Sequence, residues 1–325
     1  MTTLIDTLLN DIANDTALSD DRRELLRDLL ARVVAVAEAP ARTRDLQVAV
    51  QAIDELLEAF ALFEEESNRR KITIFGSART PPDSPIYQMT LALAHAMAER
   101  DWVIVSGAGP GIMEASARGA GEANTIGINI RLPFEQTANP YIAATNLVTM
   151  KYFFTRKVAL TRPSIAFVVL PGGLGTMDEL FEVLTLLDTG KTTPAPVVLL
   201  DTPEGKFWQE WLTFMDQAIV KNHYVATDDM FIVRLATSIE ETVEEIEHFY
   251  SNYRSFEIDG ARGLIALNRT PTSDQLAALA RSCPMFADAP GYRLENPTTI
   301  SFNFDGRNYV NLRLVIDEVN SWDVD

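Results

Sequence analysis

The chain has 325 residues, 47% of them hydrophobic, which is longer than one typical domain and of ordinary apolar content for a globular protein. Asp and Glu number 46 against 28 Lys and Arg, and the net charge of −18 repels nucleic-acid phosphates and anionic membranes; a phosphate-bearing small molecule remains acceptable where helix ends and placed arginines supply positive charge locally. Cys283 is the only cysteine, and His95, His223 and His248 lie far apart without HExxH-like spacing, so composition excludes an intramolecular disulfide framework and offers no zinc motif.

The amino-terminal stretch MTTLIDTLLNDIANDTALSDD is acidic and periodic rather than basic and then apolar, and no stretch reaches the length of a membrane span. The reading is a cytoplasmic protein without an export signal. Residues 1–69 form a helical extension: Ser19 is an N-cap before one long helical run, and Pro40 punctuates before a second. In the second run Ile53, Leu56, Leu57, Phe60 and Phe63 make an apolar stripe that either packs on the main domain, the preferred reading, or serves a subunit interface.

From Lys71 strand and helix patterns alternate through residue 200: strands KITIFGS, WVIVSG, GINIRL, IAFVVL and PVVLL, with helices through MTLALAHAMAER, from about Ile112, near RKVAL and after Thr176. This alternation predicts an α/β fold with a doubly wound parallel sheet, Rossmann-like, over residues 70–252. Ligands in such sheets bind outside the carboxyl ends of the strands, so the turns at Gly76, Gly107 to Gly111 and Gly172 to Gly175 converge on one rim. Residues 253–325 read as a small α+β domain: a strand GLIALN, a helix TSDQLAALARSC, and two alternating runs folded as a hairpin around Asp305-Gly306.

The most informative segment is Leu170-Pro171-Gly172-Gly173-Leu174-Gly175-Thr176-Met177-Asp178-Glu179. It leaves the buried strand IAFVVL and enters a helix patterned by Leu180, Val183, Leu184 and Leu187. Free N–H groups and the positive end of the helix dipole make an anion site there, Gly172, Gly173 and Gly175 let a phosphate approach the backbone, and Thr176 adds a hydroxyl. Gly107, Gly109 and Gly111 are a weak match to GxGxxG, because the third glycine position falls on Ile112 and Pro110 interrupts the turn.

This decapeptide resembles the PGGxGTxxE signature of the LOG ("lonely guy") family, phosphoribohydrolases of nucleoside 5′-monophosphates that are often labelled lysine decarboxylases. In the family's order, similar segments are Phe75-Gly76-Ser77-Ala78-Arg79, then Ser106-Gly107-Ala108-Gly109-Pro110-Gly111-Ile112-Met113-Glu114-Ala115, Leu132-Pro133-Phe134-Glu135-Gln136 with Asn139-Pro140-Tyr141, and Phe153-Phe154-Thr155-Arg156-Lys157. They span roughly residues 70 to 250, which the resemblance makes a nucleotide-binding catalytic domain.

The resemblance implies that Glu179 is the catalytic acid and Arg156 the catalytic arginine. A carboxylate near the anomeric carbon stabilises oxocarbenium character and handles water, and a guanidinium holds phosphate or orients that carboxylate. Gly76, Ser77, Ser106, Gly107, Gly109 and Gly111 line the loops around the nucleotide, Met113 faces base or ribose, and Lys157 joins the phosphate side. Glu114 either accepts from ribose hydroxyls or caps its helix; Arg79 and Asn139-Pro140-Tyr141 are nucleotide contacts and a lid, or turn chemistry. Phe153-Phe154-Thr155 departs from the short plant-like members, and Phe153 either stacks on a purine or packs in the core. No Schiff-base lysine is evident, Lys157 and Lys191 being the only ones near the site. The implied activity is cofactor-free and metal-free hydrolysis of AMP or a cytokinin-type N6-substituted AMP to base and ribose 5-phosphate, by a homo-oligomer with no nucleic-acid or membrane partner. A second reading of the same residues is a nucleotide sensor that binds without turnover.

Overall fold

A computed structural model of the chain describes residues 7–8, 11, 18–38, 42–133, 137–288 and 291–322. Phe134, Glu135 and Gln136, Pro40 and most of the amino-terminal stretch lie outside them. The chain divides into two compact units, Met1–Glu55 and Leu56–Asp325. Among the described residues no helix is long and apolar enough to cross a membrane.

The first unit holds helix α1 (Asp20–Glu38) and the start of α2 (Thr43–Glu65). Ser19 caps α1 as its sequence predicts, its Oγ accepting from the backbone N–H of Arg22 at 3.4 Å. The apolar stripe of α2 is split. Ala59 and Leu62 are buried and Phe63 packs against the core of the larger unit, whereas Ile53 and Leu57 are exposed, Leu57 by 62%. The buried face therefore lies about one residue round from the predicted one, because small Ala59 occupies the contact position that a sequence reading assigns to larger neighbours.

The larger unit is built on seven strands: β1 (Arg70–Phe75), β2 (Trp102–Ser106), β3 (Thr125–Ile130), β4 (Leu147–Met150), β5 (Ala166–Val169), β6 (Val197–Leu200) and β7 (Val233–Ala236). Their order is β4-β3-β2-β1-β5-β6-β7, and every neighbouring pair is parallel. Successive side chains of a strand point to opposite faces, so each strand feeds two cores. Phe75, Val103, Val105, Phe167, Val169, Val197 and Leu199 enter one core. There they meet Leu160, Leu180, Val183 and Trp208 of α5 (Phe153–Thr161), α6 (Leu174–Asp188) and α7 (Phe207–Phe214). Ile72, Ile74, Trp102, Ile104, Ala166, Val168 and Val198 enter the other, against Leu93, Met97, Ile112 and Ile246 of α3 (Pro85–Ala98), α4 (Ile112–Ala120) and α8 (Ile239–Phe249). This is the doubly wound sheet, and its strand order reverses between β1 and β5.

A second sheet, antiparallel and ordered β10-β11-β9-β8, is made by β8 (Tyr253–Asp259), β9 (Arg262–Leu267), β10 (Arg293–Asn296) and β11 (Thr299–Asn303). With α9 (Ser273–Ser282) and α10 (Leu312–Asn320) it encloses a core of Phe256, Ile265, Phe302, Leu279, Val315 and Ile316. The α+β character holds, but the hairpin around Asp305-Gly306 does not form. The run after it is helical, because Leu312, Val315, Ile316 and Val319 are the buried set, spaced by three and four. The hairpins are β8-β9, turning at Gly260 with φ +62°, and β10-β11.

Candidate active site

The carboxyl ends of β1, β2 and β5 meet where the strand order reverses, the position at which open α/β sheets hold ligands. Their loops are stitched together by backbone bonds: Ser77 N–H donates to Pro171 C=O at 3.3 Å, and Ile112 N–H to Ser77 C=O at 3.1 Å. Gly111 permits the second contact with φ +67°, where a Cβ would strike the backbone of Ser77 and Ala78. The loops surround a cavity of about 560 Å³, in the range of small-molecule sites.

Helix α6 presents its amino terminus to this cavity. Gly173 occupies the N-cap position and no side chain caps the helix, so its first N–H groups and the positive dipole end remain available to an anion. The glycines of the turn differ in kind. A Cβ at Gly172 would collide with the side chain of Thr176, so the protein's own packing excludes it. At Gly173 and Gly175 a Cβ would meet nothing within 4 Å, yet both line the cavity.

One turn further along α6, Glu179 is 7% exposed and lines the same cavity. Its Oε2 has no hydrogen-bond partner among the described residues. Burial raises its pKa to about 7, against the opposing pull of Arg156 and Lys157 and with support from Glu182 and Asp178. Arg156, on α5, donates from Nε to Ile128 C=O at 2.9 Å and from Nη2 to Gly107 C=O at 3.0 Å. Burial lowers its pKa and Glu179 opposes that. A Cβ at residue 107 would run into Nη2 of Arg156 and, at 2.7 Å, into Sδ of Met113, which is why glycine stands there. Lys157 turns away, pairing with Asp178 at 2.9 Å and Glu182 at 2.8 Å. Burial pulls its ammonium down, but the bonds to Glu182 and Asp178 prevail and its pKa rises, the opposite of what a Schiff-base lysine needs.

The cavity thus brings together Gly76, Ser77, Gly107, Met113, Arg156, Gly173, Gly175, Thr176 and Glu179. Ser106, Gly109, Gly111, Glu114, Lys157 and Gly172 do not line it. Glu114 accepts a bond from Tyr87 Oη at 2.9 Å, neither capping α4 nor facing the cavity. Asn139 braces the loop after β2: its Nδ2 donates to Gly109 C=O at 3.1 Å and its N–H to Ala108 C=O at 2.9 Å. The braced Ala108 is buried with φ +59°, a conformation alanine adopts only under constraint. Phe153 is 55% exposed on the cavity wall rather than in the core, facing the same space as Leu174, 91% exposed. Leu174 fills the unspecified position of PGGxGTxxE, so the motif itself carries no signal for it.

The family described as "Possible lysine decarboxylase" matches residues 113–246. The chain is 31% identical over 199 residues to the cytokinin riboside 5′-monophosphate phosphoribohydrolase LOG2 of Arabidopsis thaliana, covering 58% of this chain and 91% of that protein. It is 32% identical over 134 residues to the cytokinin riboside 5′-monophosphate phosphoribohydrolase of Mycobacterium tuberculosis, covering 40% and 70% respectively. Among solved structures, TM1055 aligns with a TM-score of 0.40 at 26% identity, over 55% of this chain and 98% of that one.

Proposed function

The chain belongs to the LOG family, and from that premise we propose that it hydrolyses the N-glycosidic bond of a nucleoside 5′-monophosphate, AMP or a cytokinin riboside 5′-monophosphate, giving free base and ribose 5-phosphate. The observation that carries the reading is Glu179, a buried carboxyl with an unpaired oxygen, on a cavity wall one turn beyond an uncapped helix amino terminus.

In this reading the turn at Gly173 to Thr176 binds the phosphate and fixes the ribose beside Glu179. As the bond between C1′ and the base nitrogen breaks, its electron pair leaves with the base and positive charge grows on the ribose. The ionised Glu179 stabilises that charge and accepts a proton from the water that attacks C1′; the departing base takes up one proton in exchange, so Glu179 returns to its carboxylate and the water is divided between ribose 5-phosphate and free base. Arg156, held by two carbonyls, keeps the carboxylate ionised enough to act, its guanidinium opposing the effect of burial. Met113 and Phe153 line the remaining space, where the base sits. Residues 70–252 make the catalytic domain, residues 1–69 and 253–325 are its additions, and the protein works as a homo-oligomer, a dimer or larger, which light scattering checks.

The test is incubation with AMP, GMP, CMP, UMP and isopentenyl-AMP, following released base by chromatography. Glu179→Ala is expected to lower turnover at least about 100-fold, the usual scale for losing a charge-stabilising group. Normal turnover by that variant would sink the assignment. Tight nucleotide binding by the wild type without base release would instead favour a sensor.

A further inference from the structure

We propose that Arg79 is the side chain that grips the substrate's 5′-phosphate and selects phosphorylated nucleotides over nucleosides. The proposal deepens the reading above and rests on it.

The chain carries 18 more negative than positive charges, so an anion is held only where a cation is placed for it. Two arginines line the cavity, Arg79 and Arg156. Arg156 is bound to the carbonyls of Ile128 and Gly107, on the β2 and β3 side, beside Glu179. Lys157, the cation that the sequence suggested, is occupied by Asp178 and Glu182 and stands off the wall.

Arg79 differs on each point. Its side chain is exposed and makes no hydrogen bond or ion pair among the described residues. Its backbone is fixed: its N–H donates to Ser77 Oγ at 3.1 Å, and Ser77 N–H donates to Pro171 C=O at 3.3 Å, the residue that opens the turn into α6. The loop after β1 therefore lies directly against the phosphate turn. An unpaired guanidinium that shares a cavity with the positive end of a helix is repelled by it until an anion lies between them. A phosphate carrying close to two negative charges satisfies both, taking backbone N–H groups on one side and a bidentate fork on the other. The bare space at Gly173 and Gly175 is where it fits.

The experiment compares kcat/KM for AMP with that for adenosine, in the wild type, Arg79→Ala and Arg79→Lys. The AMP-to-adenosine ratio is expected to fall roughly 30- to 100-fold in Arg79→Ala, the scale of one charge-assisted contact. Arg79→Lys should recover part of it, since lysine returns the charge without the fork. Arg79→Gln replaces Arg79→Ala if circular dichroism shows the latter misfolded. In parallel, calorimetry measures AMP and adenosine binding to Glu179→Gln protein with and without Arg79→Ala. A preference for AMP that vanishes with Arg79→Ala supports the proposal even if the wild type releases no base, in which case only the hydrolase reading falls. Base release with the wild-type AMP preference intact in Arg79→Ala overturns the proposal alone.

Discussion

Glu179, the proposed catalytic carboxylate, also carries a cost to the fold. Burial raises its pKa from 4.5 to about 7, so the folded protein holds this proton more tightly than the unfolded chain does. Between pH 4.5 and 7 the native state therefore binds more protons, and stability falls as pH rises through that window. Above pH 7 the penalty is constant, about 3 kcal/mol on the scale of 1.36 kcal/mol per unit. Glu179→Gln removes the ionisation and keeps the shape. It should raise the thermal midpoint at pH 8 and give a much smaller gain at pH 5, while abolishing base release. An equal gain at both values would show that burial of the charge is not the cause.

At the scale of the element, the amino terminus of α6 separates Gly172, which the packing of Thr176 requires, from Gly173 and Gly175, which have open space around them. Gly175 lies in the first turn with open space around it, so Gly175→Ala should stabilise the helix by about 0.5–1 kcal/mol through propensity alone. If the turn binds phosphate as proposed, the added methyl stands in the way, so AMP binding should weaken at least about tenfold, a loss of one charge-assisted contact. Gly172→Ala should instead destabilise, because the methyl meets Thr176. Unchanged AMP affinity in Gly175→Ala would move the phosphate elsewhere. This turn was legible in sequence because IAFVVL is a doubly buried strand and the glycines that follow break it abruptly. The segment from Asn308 onward was not: Val310, Leu312, Leu314 and Ile316 alternate like a strand, and only burial of Val315 and Val319 reveals the helical period. Strands β4 (LVTM) and β7 (VRLA) are the two edges of the sheet, and Thr149 and Arg234 interrupt their short apolar runs, unlike the equally short but fully buried β5 and β6. The bracing of Ala108 by Asn139 joins residues 31 apart and has no local signature.

For the larger unit as a whole, the question is what makes the antiparallel sheet act with the parallel one. Asn320, at the end of α10, donates to Phe249 C=O at 2.7 Å and accepts from the N–H groups of Asn252 and Tyr253 at 3.0 and 2.8 Å. That ties α10 to the end of α8, which itself packs on the parallel sheet through Ile246. Arg313 makes the second joint. Its side chain is nearly buried, bonded to Glu245 of α8 and to Asp317 at 2.7 Å, and lies 5.2 Å from the ring of Phe249. Asp317 in turn accepts from Arg234 of β7 at 2.6 Å. The hydrogen bonds between these elements join residues 67 to 83 apart, so composition and period could not disclose them. Arg313→Leu keeps the apolar stem but takes the cation from Glu245 and leaves Asp317 to Arg234 alone, at a partly desolvated joint. Removing one partner of such a network costs about 3 kcal/mol, more than the pair contributes over an apolar substitute. Scanning calorimetry should then show the residue 253–322 module melting ahead of the parallel sheet, as a separate endotherm absent from the wild type. Because neither Arg313 nor any of the residues bonded to it lines the cavity, AMP hydrolysis at 25 °C should persist in this variant. A melting profile identical to the wild type would mean that the two sheets are coupled through the Asn320 joint and the shared apolar contacts alone.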